Sequence, residues 1–239
     1  MLIFHKFLSR LHSLMERAHQ HRLKEVISER IETSLALALL ADGRDSDVDN
    51  FLDEFESVAT GISAAMKLPG TADMTLIRVL YVLVRLRRPS MVVETGVWHG
   101  VSSFIILKAL KASGGGSLSS VDIPPLNPKN RVVVGGFVTD ELRDSWDLQI
   151  GAASKLLPKI ARTAMAHGGL GMFVHDSDHN YFNMMKEFRI AWPALKSTGL
   201  LVADDAHTND AVLDFADEVG RKATFIERQK GGAIAVVVK

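Results

Sequence analysis

The part of the chain after Pro89 alternates short apolar runs with longer stretches of helical periodicity, and this alternation limits the fold more than any other feature. It is typical of βαβ units, in which parallel strands are joined by crossover helices. The last two runs are separated by a Gln-Lys-Gly-Gly turn and indicate a terminal hairpin. The sequence therefore predicts an α/β fold whose sheet is mostly parallel, with an antiparallel strand at the C-terminus.

The pattern assigns an approximate range to each element. Parallel strands are predicted at 90–94, 117–121, 146–150, 171–175 and 200–204, and the hairpin strands at 223–227 and 233–238. Helices are predicted between them at 101–112, 153–164, 181–195 and 209–219.

A different pattern occupies the N-terminus, where apolar residues recur at helical spacing from residue 2 to about 40. A second helix is expected to end near residue 66, and a third at 73–87, where Pro89 stops it. The Leu68-Pro69-Gly70 break divides an α-helical region, 1–70, from the α/β domain, 71–239. The first helix can pack on its own domain or on a second copy of the chain, or lie on a membrane surface. The arginines at 85, 87 and 88 are expected to form a solvated helix end.

The composition excludes several classes of partner and chemistry. The 28 basic residues balance the 28 acidic ones, so the surface has no overall field that would attract nucleic acid. The chain has no cysteine, and chemistry must come from oxygen and nitrogen groups. No signal peptide and no apolar run of the roughly 20 residues needed to span a bilayer are recognised, so a cytoplasmic protein is predicted.

A glycine turn follows the first strand of the α/β domain. That strand ends in Glu94-Thr95, the turn contains Gly96 and Gly100, and Ser102 begins the next helix. Such a turn lets the backbone approach a ligand, although any α/β fold can use one for packing alone. The next strand ends in Asp122, an acid that can bind the two hydroxyls of a ribose or simply cap a turn. Together the two motifs predict a site for a nucleoside-like cofactor.

With these motifs the chain resembles the class I S-adenosylmethionine-dependent methyltransferases. The matching segments are 92–100, 120–122, 140–151 and 175–181, and the resemblance covers about residue 73 to 239. It implies a Rossmann-like sheet with S-adenosylmethionine as cofactor, bound by Glu94, Thr95, Gly96, Gly100, Ser102, Asp122, Gly151, Ala152 and Asp176. One departure is that Gly151-Ala152-Ala153 replaces the acid that many relatives use on adenine, so backbone is expected to take over that contact.

Acidic and histidine side chains follow the fourth and fifth predicted strands. They are His175-Asp176-Ser177-Asp178-His179 and Asp204-Asp205-Ala206-His207. The ends of parallel strands meet at one edge, and carboxylates gathered there repel one another unless a cation lies between them. The sequence therefore predicts a magnesium site. The alternative is a metal-free site in which Asp204 and Asp205 cap the helix near residue 209 and Asp178 caps the helix at 181.

The acidic pair also resembles the metal-dependent branch of the methyltransferases that acts on sugar hydroxyls. The resemblance implies that Asp176, Asp204 and Asp205 ligate magnesium and that His179 is the general base, with His175 and His207 as alternatives. The acceptor is then the hydroxyl of a small molecule or sugar, in a pocket expected to be built from residues 123–145 and the N-terminal helices.

Three other interpretations stay open on sequence grounds. A metal-independent methyltransferase would use the same fold without the cation. A non-catalytic binding or assembly subunit would use the N-terminal helices as its interface, and these helices can also pair two copies of an active enzyme. A nicotinamide-dependent oxidoreductase is disfavoured, because the chain lacks both the full Gly-x-Gly-x-x-Gly turn and a Tyr-x-x-x-Lys pair.

Overall fold

The computed structural model describes residues 32–62, 66, 72–124, 133–229 and 231–239. Within them, seven strands form one sheet in the order β3-β2-β1-β4-β5-β7-β6. Strands β1 to β5 are parallel, and β7 runs antiparallel to both β5 and β6. The strands are β1 Met91–Thr95, β2 Ser117–Asp122, β3 Trp146–Ile150, β4 Leu170–His175, β5 Leu195–Ala203, β6 Ala223–Glu227 and β7 Ala233–Val238. The predicted sheet, with its antiparallel C-terminal strand, is confirmed.

Helices cover both faces of this sheet. They are α1 Thr33–Leu39, α2 Val48–Ala59, α3 Met74–Arg87, α4 Val101–Ala112, α5 Ala153–Ala166, α6 Tyr181–Ala191 and α7 Ala211–Glu218. Because successive strand residues point to opposite faces, Val92 packs with α1 to α4 and its neighbour Val93 packs with α5 to α7. The fully buried strands thus explain why the sequence shows continuous apolar runs rather than alternation.

The described N-terminal helices pack closely on α3. Phe55 of α2 is fully buried, with its ring centroid 5.8 Å from that of Tyr81. Arg85 bonds Glu54 at 2.9 Å and Arg87 bonds Asp42 at 2.8 Å. The expectation of a solvated arginine end on this helix was therefore wrong for these two residues, because their partners lie in the N-terminal segment.

Several N-terminal predictions fall outside the described residues. Most of the first predicted helix, residues 1–31, is among these, and so are its membrane-surface and oligomer interpretations. The division of the chain near residue 70 stays a prediction. No helix in the described part of the chain is long and apolar enough to cross a bilayer.

Two predicted helices end earlier than expected. The helix predicted at 181–195 ends at Ala191, and Trp192–Ala194 forms a 3-10 turn. Pro193 has no N–H to continue the α-helical ladder. Leu195 instead begins β5 and pairs with Leu170, five residues before the predicted start of that strand. The second N-terminal helix ends at Ala59, followed by a 3-10 turn at Thr60–Ile62, rather than near residue 66.

Candidate active site

The carboxyl ends of four parallel strands meet at one edge of the sheet. Thr95 pairs with Val121 on one side and with His175 on the other, and His175 pairs with Ala203. The side chains that come next in sequence, at the tips of β2, β4 and β5, therefore gather on the same rim.

A cavity of about 520 Å³ opens at this rim, a volume suited to a small cofactor. The cofactor residues predicted from sequence that line it are Gly96, Ser102, Asp122, Gly151, Ala152 and Asp176. Trp98 and Glu187 also line it. Three other predicted residues, Glu94, Thr95 and Gly100, are not among its lining residues.

Glu94 and Thr95 instead form the buried support of the turn. Glu94 is fully buried and accepts hydrogen bonds from Ser103 at 2.5 Å and Ser120 at 2.9 Å. Burial raises the pKa of Glu94, and these hydroxyls oppose that rise. Thr95 donates to Glu187 at 2.6 Å.

Close backbone contacts explain the two glycines of the turn. Gly96 has φ +85°, and a Cβ there would lie 1.9 Å from the carbonyl oxygen of Asp176. Gly100 has φ +86°, and a Cβ there would lie 2.7 Å from the Cα of Gly135. Since both positions combine left-handed backbone with close neighbours, only glycine fits without displacement.

Asp122 holds the glycine turn in place. Its Oδ2 accepts the N–H groups of Val97 at 2.9 Å and Trp98 at 2.7 Å, and its Oδ1 accepts that of Ile123 at 2.7 Å. The carboxylate therefore shapes the cavity wall as well as lining it. The N–H of Gly151 bonds the carbonyl of Asp122 at 2.8 Å, which brings the Gly151-Ala152 backbone to the same cavity.

A compact group of donors adjoins the cavity. Asp176, His179 and Asp204 each offer one ligand atom within 4.8 Å of the others, and we call this group the rim cluster. Burial, and then the charge of Asp204, raises the pKa of Asp176 well above its usual value. Burial raises the pKa of Asp204 to about 6, although Arg228 opposes the rise. Burial, and then His175, lowers the pKa of His179. The surroundings in the apoprotein thus shift each of these three groups toward its neutral form.

Asp205, a predicted metal ligand, lies beside the rim cluster. Its Oδ1 bonds the guanidinium of Arg228, and its Oδ2 is 3.6 Å from Nδ1 of His179. Sequence reasoning missed Arg228. The topology offered the signal, since β6 is antiparallel to β7 and therefore parallel to β5, which places the residue after β6 on the same rim.

The other two histidines have structural partners. His175 is fully buried, and its Nδ1 is 2.8 Å from Glu187, a carboxylate that sequence reasoning also missed. Burial acts to raise the pKa of Glu187, but hydrogen bonds with His175, Thr95 and Ser177 lower it. His207 Nδ1 accepts the N–H of Ala233 at 3.2 Å. His179 is thus the member of the three that belongs to the rim cluster.

The capping roles considered for the acidic residues were wrong. Asn180, not Asp178, accepts the N–H of Asn183 at the start of α6. At the start of α7, Asn209 accepts the N–H of Ala211 at 2.9 Å, so neither Asp204 nor Asp205 is needed there. Helix capping therefore gives no account of the rim acids.

Comparison with known proteins agrees with this architecture. Residues 93–206 match a family model described as a methyltransferase domain. This segment is similar to a methyltransferase domain. It contains the glycine turn, Asp122 and the whole rim cluster. No curated protein matches the chain by sequence.

Solved structures share the fold of this chain. An O-methyltransferase from Bacillus cereus, solved in complex with SAH, is 18% identical, with a TM-score of 0.57 over 77% of this chain and 90% of that one. The O-methyltransferase TomG from Streptomyces achromogenes, involved in tomaymycin synthesis and solved with SAM, is 18% identical, with a TM-score of 0.56 over 76% and 87%. A putative caffeoyl-CoA O-methyltransferase from Staphylococcus aureus is 14% identical, with a TM-score of 0.58 over 82% and 100%. These likenesses confirm the predicted Rossmann-like fold, and the family match agrees with the prediction of a class I S-adenosylmethionine-dependent methyltransferase.

Proposed function

We propose that the protein transfers the methyl group of S-adenosylmethionine to a hydroxyl of a small molecule, with assistance from a divalent cation. The observation that carries the proposal is that Asp176 belongs to both parts of the site: it lines the cofactor-sized cavity and is a member of the rim cluster. A sulfonium methyl in the cavity and an acceptor oxygen on the cation would then be neighbours, and alignment of this kind lowers the barrier to transfer.

The residues proposed to bind the cofactor are the predicted residues that line the cavity: Gly96, Ser102, Asp122, Gly151, Ala152 and Asp176. Asp122, whose Oδ2 accepts two backbone N–H groups of the Gly96 turn, is the acid proposed for the ribose hydroxyls. At the other end, the backbone of Gly151 and Ala152 takes the place of an acidic side chain toward adenine. Glu94, Thr95 and Gly100 support this wall from behind rather than touching the cofactor.

The rim cluster fits a cation by its unsatisfied polar atoms. Among the described residues, His179 Nε2 and Asp204 Oδ1 are buried and have no hydrogen-bond partner. Buried polar atoms are costly unless something satisfies them, and carboxylate oxygens with an imidazole nitrogen are good ligands. A cation held there by Asp176 and Asp204 would lower the pKa of a coordinated hydroxyl. Because the lowered pKa of His179 keeps its imidazole neutral near pH 7, it can either accept the acceptor's proton or donate a lone pair.

Calorimetry with S-adenosylhomocysteine tests the cofactor half of the proposal. We expect Asp122→Asn to weaken binding at least about tenfold, since the turn loses a charge-assisted support. Asp147→Asn is the matched control, because Asp147 lies on neighbouring β3 and is not among the residues that line the cavity. Equal affinity in wild type and Asp122→Asn, or no binding at all, would contradict the assignment of the cavity.

Radiolabelled methyl transfer to a panel of sugars, catechols and other hydroxylated compounds tests the rest. Activity should require Mg²⁺ or Mn²⁺ and should disappear in chelator or in Asp204→Asn, with cofactor affinity largely kept. Full activity in chelator would instead favour the metal-independent methyltransferase.

A further inference from the structure

Arg228 forms an ion pair with Asp205, one of the carboxylates that the resemblance assigns to the metal. Its guanidinium bonds Asp205 Oδ1, while its Nη1 lies 3.3 Å from Asp204 Oδ1 and its Nε lies 3.7 Å from Asp73 Oδ1. The Arg228 side chain is only 16% exposed, so this is an internal cation. Asp205 is therefore committed to an arginine that has further acidic neighbours of its own.

The buried polar atoms that make no hydrogen bond indicate a different set of metal ligands. The Asp204 side chain is 6% exposed, and its Oδ1, although 3.3 Å from the guanidinium of Arg228, accepts no hydrogen bond from any described residue. His179 Nε2 is likewise buried and unbonded within the described part of the chain, 3.7 Å from Asp176 Oδ1. The other ring nitrogen of His179 faces Asp205 Oδ2 at 3.6 Å. A carboxylate next to one ring nitrogen, with the other nitrogen directed at a cation, is a common arrangement in metal sites.

We infer that Asp176, His179 and Asp204 bind the cation directly, while Asp205, held by Arg228, orients His179 from outside the coordination sphere. This inference rests on the proposed cation-dependent function and makes His179 a ligand rather than the base. Mg²⁺ prefers a shell of oxygens, many of them from water, whereas imidazole nitrogen favours first-row transition metals. The site is therefore expected to prefer divalent transition metals over Mg²⁺. Among the first-row metals, Mn²⁺ generally binds such sites most weakly.

The test is metal binding to the full-length, cofactor-free protein, measured by calorimetry with Mn²⁺ and by competition with Mg²⁺. We expect wild type to bind Mn²⁺ at least about tenfold more tightly than Mg²⁺. Pulsed electron paramagnetic resonance of bound Mn²⁺ should show coupling to an imidazole nitrogen. No such coupling, or equal affinity for the two metals, would overturn the inference.

Three variants separate a ligand from an outer residue. His179→Gln should remove the nitrogen coupling and most of the preference for Mn²⁺. Asp205→Asn should weaken Mn²⁺ about 10- to 100-fold, the usual effect of losing an outer carboxylate, but keep the nitrogen coupling. Asp178→Asn, an acid two residues from Asp176 outside the rim cluster, is the control and should change affinity less than about threefold. Abolished binding in Asp205→Asn together with unchanged binding in His179→Gln would show that the three aspartates are the ligands.

Arg228→Gln tests whether Arg228 keeps Asp205 out of the coordination sphere. Removing one positive charge and releasing Asp205 should raise Mg²⁺ affinity about tenfold and reduce the preference for Mn²⁺. Unchanged Mg²⁺ affinity would overturn that role. Circular dichroism establishes that each variant is folded. S-adenosylhomocysteine titrations separate the two proposals, because a protein that binds this ligand but no metal refutes the cation site alone.

Discussion

At the scale of single residues, Asp204 is deeply buried, and its charged neighbours shift its pKa in opposite directions. Burial disfavours its charged form, and Asp205 adds repulsion, while Arg228 partly offsets both. The resulting pKa of about 6 lies above the ordinary value of 3.8, so the folded apoprotein binds this proton more tightly than the unfolded chain does. The stability contributed by the bound proton is present below about pH 4 and is lost as the pH rises through about 6.

We therefore predict that Asp204→Asn becomes more stable relative to wild type as the pH is raised from 5 to 8 in chelator. Each unit of pKa shift corresponds to about 1.4 kcal/mol, and only the part of the window between about pH 5 and 6 lies in this range, so the relative gain should be roughly 1–1.5 kcal/mol. Urea unfolding at a series of pH values measures it. A saturating divalent cation should make wild type the more stable of the two proteins. A difference in the free energy of unfolding that does not vary with pH would contradict this account.

Gly96 gives the second prediction at this scale. Gly96→Ala meets both a left-handed backbone and a backbone oxygen of Asp176, whereas Gly43 has φ +81° with nothing within 4 Å of an added Cβ. Gly43→Ala should therefore cost only about 1 kcal/mol of strain. Gly96→Ala should cost at least about 2 kcal/mol and weaken S-adenosylhomocysteine binding. Equal losses in urea unfolding would mean that the turn relaxes freely around the added methyl group.

At the scale of elements, the start of α6 is fixed by Asn180 rather than by the acid two residues before it. Asn180→Ala should lower the free energy of unfolding by about 1 kcal/mol, because the N–H of Asn183 loses its partner. Asp178→Ala should change it by less than about 0.5 kcal/mol. Thermal unfolding of the two variants shows which residue caps the helix. A larger loss of stability in Asp178→Ala than in Asn180→Ala would mean that Asp178 is the cap.

The same scale shows what the sequence can and cannot predict. Strand β1 and the Gly96 turn were predictable, because an apolar run and a positive-φ glycine are local signals. Arg228 was not found, since its partners Asp204 and Asp205 come from another strand and only the order β5-β7-β6 brings them together. The end of α6 was missed for a related reason: the pairing of Leu195 with Leu170 outweighs the helical pattern of its own segment.

At the scale of the whole molecule, the described N-terminal helices and the sheet share one hydrophobic core. Phe55 from α2, Tyr81 from α3, Ile105 from α4 and Val92 from β1 belong to the same buried cluster. Contacts between the segments on either side of residues 68–70 bury aromatic side chains and pair arginines with acids. Such a shared core predicts that both parts unfold cooperatively.

Phe55→Ala tests this cooperativity, because all three tryptophans of the chain, at 98, 146 and 192, lie on the other side of the break. Phe55 is fully buried, so the substitution should cost about 3–5 kcal/mol. If the parts unfold together, the urea transition seen by tryptophan fluorescence shifts to lower concentration and coincides with the one seen by circular dichroism. Phe182→Ala, at an 82% exposed site, should move it by less than about 0.5 kcal/mol. The opposite result is a fluorescence transition that stays in place in Phe55→Ala while circular dichroism shows an earlier loss of helix. The tryptophans would then report no dependence on the N-terminal core, which would mean that the α/β domain folds without these helices.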